Sequence, residues 1–294
     1  MTRFLSFATA FFVCLSPARA GDAGDKATIA YVQKLQTASG AFLPQTPSPD
    51  SKLTPTLKTT STAVRILHYL GDAPFNKDAA IGFIASCHDA QTGGFADVPK
   101  GKPDVATTAI GLMAVKELKM PVDKYQAGAV KYLTENARGF EDVRIAAAGL
   151  EAIAAKSPKG QAWLDQVLKM QNPDGTFGKD AGQARDTGGA VVTILRLGST
   201  PKDKSQVLKI IRDGQRPSGG FGKGDSEVNA DLESSYRIMR CFMMLQAQPE
   251  RVEGLRTFIA KCRNEDGGYG VAPGQPSSIS GTYYAAIIRY WLAK

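Results

Sequence analysis

One pattern recurs six times along the chain and limits what it can fold into: a glycine-containing turn that ends in an aromatic residue, followed by an apolar run. The six turn aromatics are Phe42, Phe95, Phe140, Phe177, Phe221 and Tyr269. Their spacings of 37 to 53 residues are too long for one helix and sufficient for a pair of helices. Such a period predicts a repeat protein in which each unit packs against its neighbours.

Each unit contains two kinds of apolar run. Before the turns lie amphipathic stretches such as IAYVQKLQ and LRTFIAKC, and after them lie small-residue stretches such as TTSTAVRILHYL and DLESSYRIMRCF. An amphipathic helix keeps one face in water, whereas a helix that is apolar all round is buried. The sequence therefore predicts an all-α protein in which the first set of helices lies outside and the second set is buried.

Composition favours a single globular unit. The chain has 294 residues, of which 43% are hydrophobic, so that it can bury a large core. Because the repeats are uniform, we predict one domain over 21–294. The net charge is +8, but the lysines are scattered and are not interleaved with aromatic residues. No nucleic-acid partner is therefore predicted.

Residues 1–20 have the pattern of a cleaved signal peptide. Arg3 precedes an apolar run over 4–15, and a small-x-small sequence ends at Ala20. This pattern predicts cleavage after Ala20 and a secreted or periplasmic protein. The apolar run is too short to cross a bilayer and no later segment is longer, so no membrane span is predicted.

Three cysteines follow the predicted signal peptide, namely Cys87, Cys241 and Cys262. Cys87 and Cys262 occupy the same position in the second and sixth repeats, which would be two steps apart in a six-membered ring. A disulfide requires Cα atoms within roughly 7 Å of each other. We therefore predict three free, mostly buried thiols.

The longest predicted loop covers 43–58 and contains four prolines. We interpret it as a surface excursion, and the alternative is a lid over a central cavity. The third repeat is shorter than the others, because Asp142 follows Phe140 by two positions whereas Asp104 follows Phe95 by nine.

The starts of the second helices in the six repeats can be aligned. The aligned residues are Lys58, Asp104, Asp142, Asp186, Asp231 and Ser278. An aspartate at a helix N-terminus accepts backbone N–H bonds and opposes the helix dipole, so capping explains the four aspartates. The alternative is a ring of carboxylates at one mouth of a funnel, where it would hold a cation or a polar ligand.

With six copies in register, the chain resembles the α/α-toroid superfamily of protein prenyltransferase β subunits and squalene-hopene cyclases. The likeness extends from Tyr31 to Trp291, and YVQKLQTASGAF fits the repeat motif of the cyclases well. The resemblance implies an α/α toroid (α6/α6 barrel) of six helix-pair repeats, with about twelve helices around a central cavity. In the prenyltransferases this cavity holds an isoprenoid diphosphate and a catalytic zinc, beside a helical α subunit.

The resemblance also shows where this chain departs from the family. Of the prenyltransferase zinc ligands Asp231 matches, but Glu233 stands at the cysteine position and Gly281 at the histidine position. Two carboxylates without the soft ligands make a poor zinc site, so no metal or other cofactor is predicted. Positions that bind diphosphate in the family carry Ala106 and Thr187. Zinc-dependent protein prenylation is therefore predicted to be lost.

The residues expected to face the cavity are the candidates for substrate binding. They are Asp186, Asp231, Ser234, Arg237 and Tyr284. Asp231, Ser234 and Arg237 are three residues apart and so share one face of a helix. Asp231 and Glu233 are the catalytic candidates if the protein is an enzyme. Alternatively, Arg237 pairs with Asp231 or Glu233 in a structural network.

Three functions remain open from the sequence. The first is a secreted, metal-free toroid that binds an isoprenoid, a lipid or a peptide segment, and nothing in the sequence indicates a helical α-subunit-like partner. The second is a transferase or terpene-cyclase-like enzyme with altered chemistry at Asp231 and Glu233.

The third function is that of a carbohydrate-active toroid. Two carboxylates about 5 to 10 Å apart hydrolyse glycosidic bonds, and Asp231 with Asp186 or Asp142 would be such a pair. Glycosidases usually line their clefts with tryptophan. This chain has only Trp163 and Trp291, and neither falls on the predicted cavity face.

Overall fold

The computed structural model describes residues 23–179, 183–223 and 230–293, so the predicted signal peptide lies outside the described residues. This part of the chain forms twelve α-helices and isolated β-bridges, without a strand. The helices are α1 (Ala23–Lys34), α2 (Leu57–Tyr69), α3 (Lys77–Ser86), α4 (Val105–Glu117), α5 (Asp123–Asn136), α6 (Phe140–Ala152), α7 (Gly160–Leu168), α8 (Gln183–Arg196), α9 (Lys204–Asp213), α10 (Leu232–Met244), α11 (Val252–Lys261) and α12 (Ile279–Leu292).

The even-numbered helices form a closed inner ring. Each packs against the next, and α12 packs against α2. The odd-numbered helices lie outside them, for example α5 against α4 and α9 against α8. The predicted α/α toroid of six helix pairs is therefore confirmed.

Four inner helices, α2, α4, α10 and α12, begin at a residue whose side chain accepts a hydrogen bond from a free backbone N–H group. Asp104 accepts a hydrogen bond from the Thr107 N–H at 2.7 Å, and Ser278 caps α12 in the same way. A cap of this kind contributes about 1 kcal/mol. The cap of α2 is Thr56 and not Lys58, which lies inside the helix. Our alignment of Lys58 with the other helix starts is therefore wrong.

The predicted starts of α6 and α8 also need correction. Helix α6 begins at Phe140, so Asp142 lies in its first turn and does not cap it. In the fourth repeat the Phe177 N–H donates to Thr187 Oγ1 at 2.9 Å, as the Phe95 N–H donates to Thr108 Oγ1. Thr108 follows its cap by four residues, so the position that matches Asp104 is residue 183, three before Asp186. The loops before α6 and α8 are shorter than in the other repeats, so our alignment placed the starts of these two helices at the wrong residues.

Five of the six turn aromatics return to the core, as their role in the repeat requires. They are Phe42, Phe95, Phe177, Phe221 and Tyr269, all buried. Phe140 differs, because it is partly buried and is the first residue of α6. The third repeat has therefore lost its turn but kept its helices, so the ring continues through it.

Backbone hydrogen bonds join neighbouring repeats at the start of the inner helices. The Leu57 N–H donates to the Asp97 carbonyl at 2.7 Å, and the Leu232 N–H donates to the Val271 carbonyl at 2.7 Å. The equivalent bond from the Ile279 N–H to the Pro44 carbonyl, at 2.8 Å, joins the last inner helix to the first turn. The last and first repeats are thus linked by the same bond as the first and second repeats and the fifth and sixth repeats.

Glutamine side chains join the outer layer at the turns. Gln215 Nε2 donates to the Gly219 carbonyl at 2.7 Å, and the Arg251 N–H donates to Gln215 Oε1 at 2.9 Å, at the start of α11. Gly219 has a φ of +94° and lies directly against the backbone of Gly254, so a side chain there would clash. Gln36 makes the same bonds in the first repeat, where its amide oxygen accepts from the Asn76 N–H at the start of α3.

The proline-rich loop ends at Thr56, two residues earlier than predicted, because α2 begins at Leu57. Its residues 45–50 are exposed, and no residue of 43–56 lines the central cavity described below. Cys87, Cys241 and Cys262 are free and buried, as predicted. None of the helices in the described ranges has both the length and the apolarity needed to cross a membrane.

Candidate functional site

A cavity of about 210 Å³ lies inside the inner ring, and all six inner helices contribute to its wall. Its charged and aromatic lining residues are Arg65, Arg144, Arg196, Arg237, Arg240, Tyr236, Tyr283 and Tyr284. Pockets for drug-sized ligands usually measure about 300 to 1,000 Å³. The cavity as it stands therefore suits a small molecule or the head group of a larger one.

The lining residues occupy a different helix face from the one predicted. On α10 they are Tyr236, Arg237 and Arg240, which follow the cap Asp231 by five, six and nine residues. The predicted face began at the cap itself and continued with Ser234. Of the five predicted substrate-binding residues, Arg237 and Tyr284 line the cavity and the other three do not.

Asp231 and Ser234 are used within their own helix. The Ser234 N–H donates to Asp231 Oδ1 at 2.7 Å, and the Ser234 hydroxyl donates to Asp231 Oδ2 at 2.9 Å. Ser234 is fully buried. Both oxygens of the carboxylate are therefore engaged in capping α10.

Asp186 lies in the first turn of α8, directly against Gly178, and outside the cavity wall. Burial raises the pKa of Asp186, while Arg185 and Arg237 act in the opposite direction. The predicted ring of carboxylates does not form among the described residues, because Asp104 and Asp231 act as caps and Asp142 and Asp186 lie inside their helices.

Five side chains near the N-terminal ends of the inner helices form what we call the rim network: Glu141, Arg144, Arg185, Glu233 and Arg237. Arg237 lies 2.9 Å from Glu233, which also lies 3.2 Å from Arg185. Arg144 lies 2.7 Å from Glu141. Burial alone would raise the pKa of Glu141, but Arg144 and Arg237 hold it below its ordinary value. Arg237 is thus part of a structural network with Glu233, one of the two alternatives from the sequence.

Farther along the inner helices, Arg65 of α2 lies in the cavity wall with only weak polar partners. Its Nη2 lies 3.5 Å from the Tyr69 hydroxyl, and its Nη1 lies 3.6 Å from the sulfur of Met113. Its guanidinium carbon is 4.7 Å from the centre of the Tyr283 ring. Within the described residues it has no ion pair with a carboxylate.

Arg240 occupies the equivalent position of α10, also nine residues after the cap. Its Nη2 donates to the Tyr236 hydroxyl at 3.2 Å, and its guanidinium carbon lies 4.8 Å from the Trp291 ring centre. Its Nε is buried and has no hydrogen-bond partner. It too has no carboxylate partner in the described part of the chain, and we refer to Arg65 and Arg240 as the arginine pair.

While Tyr236 is protonated, the arginine pair carries positive charge that no carboxylate of the described residues balances. A desolvated cation–π contact contributes about 2 kcal/mol, whereas removing one ion from water costs several kcal/mol even after the protein relaxes. Arg196 shows the contrast in the same cavity, because its side chain is only 6% exposed but its Nε lies 2.8 Å from Glu151. Buried charges are normally paired in this way.

Two tyrosines in contact with the arginine pair respond to its charge. The Tyr236 and Tyr283 hydroxyls are 3.5 Å apart. Burial raises the pKa of Tyr236, but Arg240 and Arg65 outweigh it and bring the pKa below its ordinary value. The pKa of Tyr283 is raised by burial. The tyrosine pair therefore releases its first proton easily and its second with difficulty.

Comparison with known proteins identifies the fold family. The model for the prenyltransferase α/α-toroid domain matches residues 70–135 and 143–293. The chain belongs to this family. No curated protein matches it.

Solved structures show the same toroid at low sequence identity. Protein geranylgeranyltransferase-I of Candida albicans, complexed with GGPP, aligns with a TM-score of 0.67 and 13% identity over 80% of this chain and 84% of that one. A type II terpene cyclase from Scytonema aligns with a TM-score of 0.62 and 11% identity, over 92% and 96%. A wild-type glycosidase gives 0.59 and 12%, over 92% and 95%. At these identities the likeness shows the fold alone.

The residues of this toroid protein do not fit the zinc of the prenyltransferases. Asp231 uses both oxygens to cap α10, Glu233 is held by two arginines, and Gly281 offers no side-chain ligand. The described residues contain no group of three His, Cys, Asp or Glu side chains arranged to hold a metal ion. The donor set therefore offers zinc neither a soft ligand nor a free carboxylate.

Sequence reasoning missed the arginine pair and the aromatic residues around it. A signal was present, because Arg65 and Arg240 are charged residues within two runs that the pattern assigned to complete burial. Trp291 lies off the cavity face, as predicted, but its ring stacks on the cavity residue Tyr236 with centroids 5.9 Å apart and planes 13° apart. We had assumed that the inner helices are buried on every side, and for this reason the arginine pair and its aromatic neighbours were not predicted.

Proposed function

We propose that this toroid protein is exported from the cytoplasm and binds an amphiphile in its central cavity, without zinc-dependent prenyl transfer. The ligand classes are an isoprenoid, a lipid or a peptide segment. Export rests on the signal-peptide pattern of residues 1–20. Binding rests on the closed inner ring and on the two-sided character of the cavity that it encloses.

The two-sided cavity wall is the observation that carries this proposal. Helices α4 and α6 contribute the apolar side chains Ile110, Met113, Ile145 and Ala148, and α6 also contributes Arg144 of the rim network. The rest of the wall, from α2, α10 and α12, contributes the arginine pair and the tyrosines. A site that is apolar on one side and polar on the other favours a ligand with the same division.

The structural neighbours are consistent with this ligand class. The geranylgeranyltransferase of similar fold is complexed with GGPP, and a variant of the Scytonema terpene cyclase is in complex with geranylgeranyl dihydroxybenzoate. Both molecules combine a hydrocarbon chain with a polar end. From these neighbours we infer only that the ligand of this protein is amphiphilic.

The enzymatic alternatives have less support from the site. An acid or base at Asp231 or Glu233 would have to leave its present partners, which are the α10 N-terminus for the first and two arginines for the second. For glycoside hydrolysis, no carboxylate of the described residues lines the cavity. Neither alternative explains the arginine pair.

Native mass spectrometry of the protein purified from its own cell envelope tests the proposal. We expect a retained ligand of lipid or isoprenoid mass, and the same spectrum would show any second chain. The fluorescence of Trp291 provides a second readout, because Trp163→Phe leaves it as the sole tryptophan. Zinc-dependent geranylgeranyl transfer, or a protein with no retained ligand and no response to any added amphiphile, would contradict it.

A further inference from the structure

We propose that Arg65 and Arg240 bind the acidic head group of the cavity ligand, a phosphate monoester or a carboxylate. This inference rests on the proposed function for the location of the ligand. It adds the charge of the ligand and the two residues that recognise it.

The charge of the cavity wall is the first argument. Five arginines line the cavity, and within the described ranges no aspartate or glutamate does. Three of the five form ion pairs, namely Arg144 with Glu141, Arg196 with Glu151 and Arg237 with Glu233. The other two are the arginine pair. An anion in the cavity would complete the neutralisation that the protein leaves unfinished.

Unused hydrogen-bond donors are the second argument. A guanidinium carries five N–H donors in a planar fork that matches the oxygens of phosphate and carboxylate. Arg65 uses two of its nitrogens in contacts of 3.5 and 3.6 Å, at or beyond the length of a good hydrogen bond. Arg240 donates to the Tyr236 hydroxyl at 3.2 Å, and its buried Nε has no partner. Most of these donors therefore remain free for a ligand.

The arrangement of the aromatic residues is the third argument. Tyr236 and Tyr283 are in contact, with ring centroids 5.4 Å apart, and each ring lies beneath one guanidinium of the arginine pair. The rings hold the two arginines on one side of the cavity, and the phenol hydroxyls supply further donors to an oxyanion. Cation–π contacts position the guanidinium groups without consuming their N–H groups.

The size and charge of the site favour phosphate over carboxylate. A phosphate monoester carries about two negative charges at neutral pH, which matches two guanidinium groups, whereas a carboxylate carries one. The cavity of about 210 Å³ has room for such a head group and the first part of a chain along the apolar wall. We therefore expect the affinity for a phosphate monoester to exceed that for a carboxylate.

Three probes with one chain test the head-group specificity. Octyl phosphate, octanoate and 1-octanol are titrated into the full-length mature protein carrying Trp163→Phe, with Trp291 fluorescence and calorimetry as readouts. We expect octyl phosphate to bind most tightly and to exceed 1-octanol by at least about 30-fold, because a charged ligand pairs with two desolvated guanidinium groups. Inorganic phosphate, which lacks the chain, is the fourth titrant.

Charge-removing variants then assign the binding to residues. Arg65→Gln and Arg240→Gln should each weaken octyl phosphate by about 30-fold or more and leave 1-octanol unchanged. Arg256→Gln, which removes the same charge from the outer helix α11, is the matched control and should change neither affinity. Circular dichroism and the melting temperature of each variant separate lost binding from lost folding.

The outcomes distinguish this inference from the proposed function. Equal affinities for octyl phosphate and 1-octanol, both insensitive to Arg65→Gln and Arg240→Gln, would overturn the inference and leave an amphiphile-binding protein. Arginine-dependent binding of inorganic phosphate with no gain from the octyl chain would support the inference and contradict the proposed function. Binding of none of the four titrants would overturn both.

Discussion

The rim network and the arginine pair belong to the same cavity and differ in how their positive charge is balanced. In the rim network Arg237 is 23% exposed and lies 2.9 Å from Glu233. In the arginine pair, Arg65 and Arg240 contact tyrosines and a tryptophan and no carboxylate of the described residues. Charges paired with a carboxylate fix the positions of neighbouring helices, whereas half-buried charges without such a partner favour the binding of an anion.

This difference separates structural from functional polar residues within one ring. Asp231 and Glu233 attract attention in the sequence because carboxylates at helix starts resemble catalytic groups. The structure uses the first as a cap and the second as a counter-ion. On our proposal, the residues that act on a ligand are instead Arg65 and Arg240, about two turns farther along their helices.

The largest effect on stability is expected from breaking the rim network. Glu233→Gln leaves Arg185 and Arg237 without their shared partner, and we expect the free energy of unfolding in urea to fall by about 2 kcal/mol. This lies between the values for exposed and for fully buried pairs, because both ends are partly exposed. Glu253→Gln, on an exposed pair with Arg256, is the control and should change it by less than about 0.5 kcal/mol. Equal effects of the two variants would refute a structural role for the rim.

The opposite sign is expected at the arginine pair. Arg240→Met in the ligand-free protein replaces a half-buried charge that has no carboxylate partner by an apolar side chain of similar length, so the free energy of unfolding should rise by about 1.5 kcal/mol. The same measurement on Arg237→Met should show a decrease, because Glu233 then loses a partner. If Arg240→Met destabilises the protein as Arg237→Met does, the two regions do not differ as we describe.

A smaller effect is expected at the cap of α10. Asp231→Ala should lower the free energy of unfolding by about 1 kcal/mol, and Asp231→Asn by only a few tenths, because asparagine caps helices as well as aspartate does. Neither change should alter the affinity for octyl phosphate. A loss of binding or of a measured turnover in Asp231→Asn, with the fold intact, would restore Asp231 as a site residue.

The smallest effect is a titration. Since the arginine pair lowers the pKa of Tyr236, one tyrosinate should appear in the ultraviolet absorbance below the ordinary pKa of about 10. The ionised form is favoured by folding, so its contribution to stability grows as pH rises from the lowered pKa towards 10 and is lost as pH falls through the lowered pKa. The affinity for octyl phosphate should fall as pH rises over the same range, because tyrosinate competes for the same guanidinium groups.

Two variants check the assignment of this titration. Tyr236→Phe should abolish the tyrosinate that forms below the ordinary pKa. Tyr132→Phe, at a tyrosine whose pKa is raised by burial, should leave that tyrosinate unchanged. Saturating octyl phosphate should move the transition to higher pH. If a tyrosinate still forms below the ordinary pKa in Tyr236→Phe, it belongs to another residue. That result would contradict our account of how the arginine pair lowers the pKa of Tyr236.

The sequence was sufficient for the fold because the repeats carry it redundantly. Gly219, Gln215 and Phe221 perform in the fifth repeat what Gly40, Gln36 and Phe42 perform in the first, so local errors do not change the ring.

The location of the site depends on helix register, because a shift of a few residues changes which side chains face the cavity. An offset of three residues in α8 misplaced Asp186, and taking the caps as the cavity face selected Asp231 and Ser234 in place of Arg240. Caps are the residues most fully engaged by their own backbone, so acidic residues at helix starts are poor guides to a ligand site.

The crystal structure of the protein with octyl phosphate tests the central claim most directly. Our account predicts the phosphate within hydrogen-bond distance of the guanidinium groups of both Arg65 and Arg240, with the chain along Ile110 and Met113. A phosphate held by Arg144 and Arg237 at the rim, with Arg65 and Arg240 still in contact only with their aromatic neighbours, would contradict it.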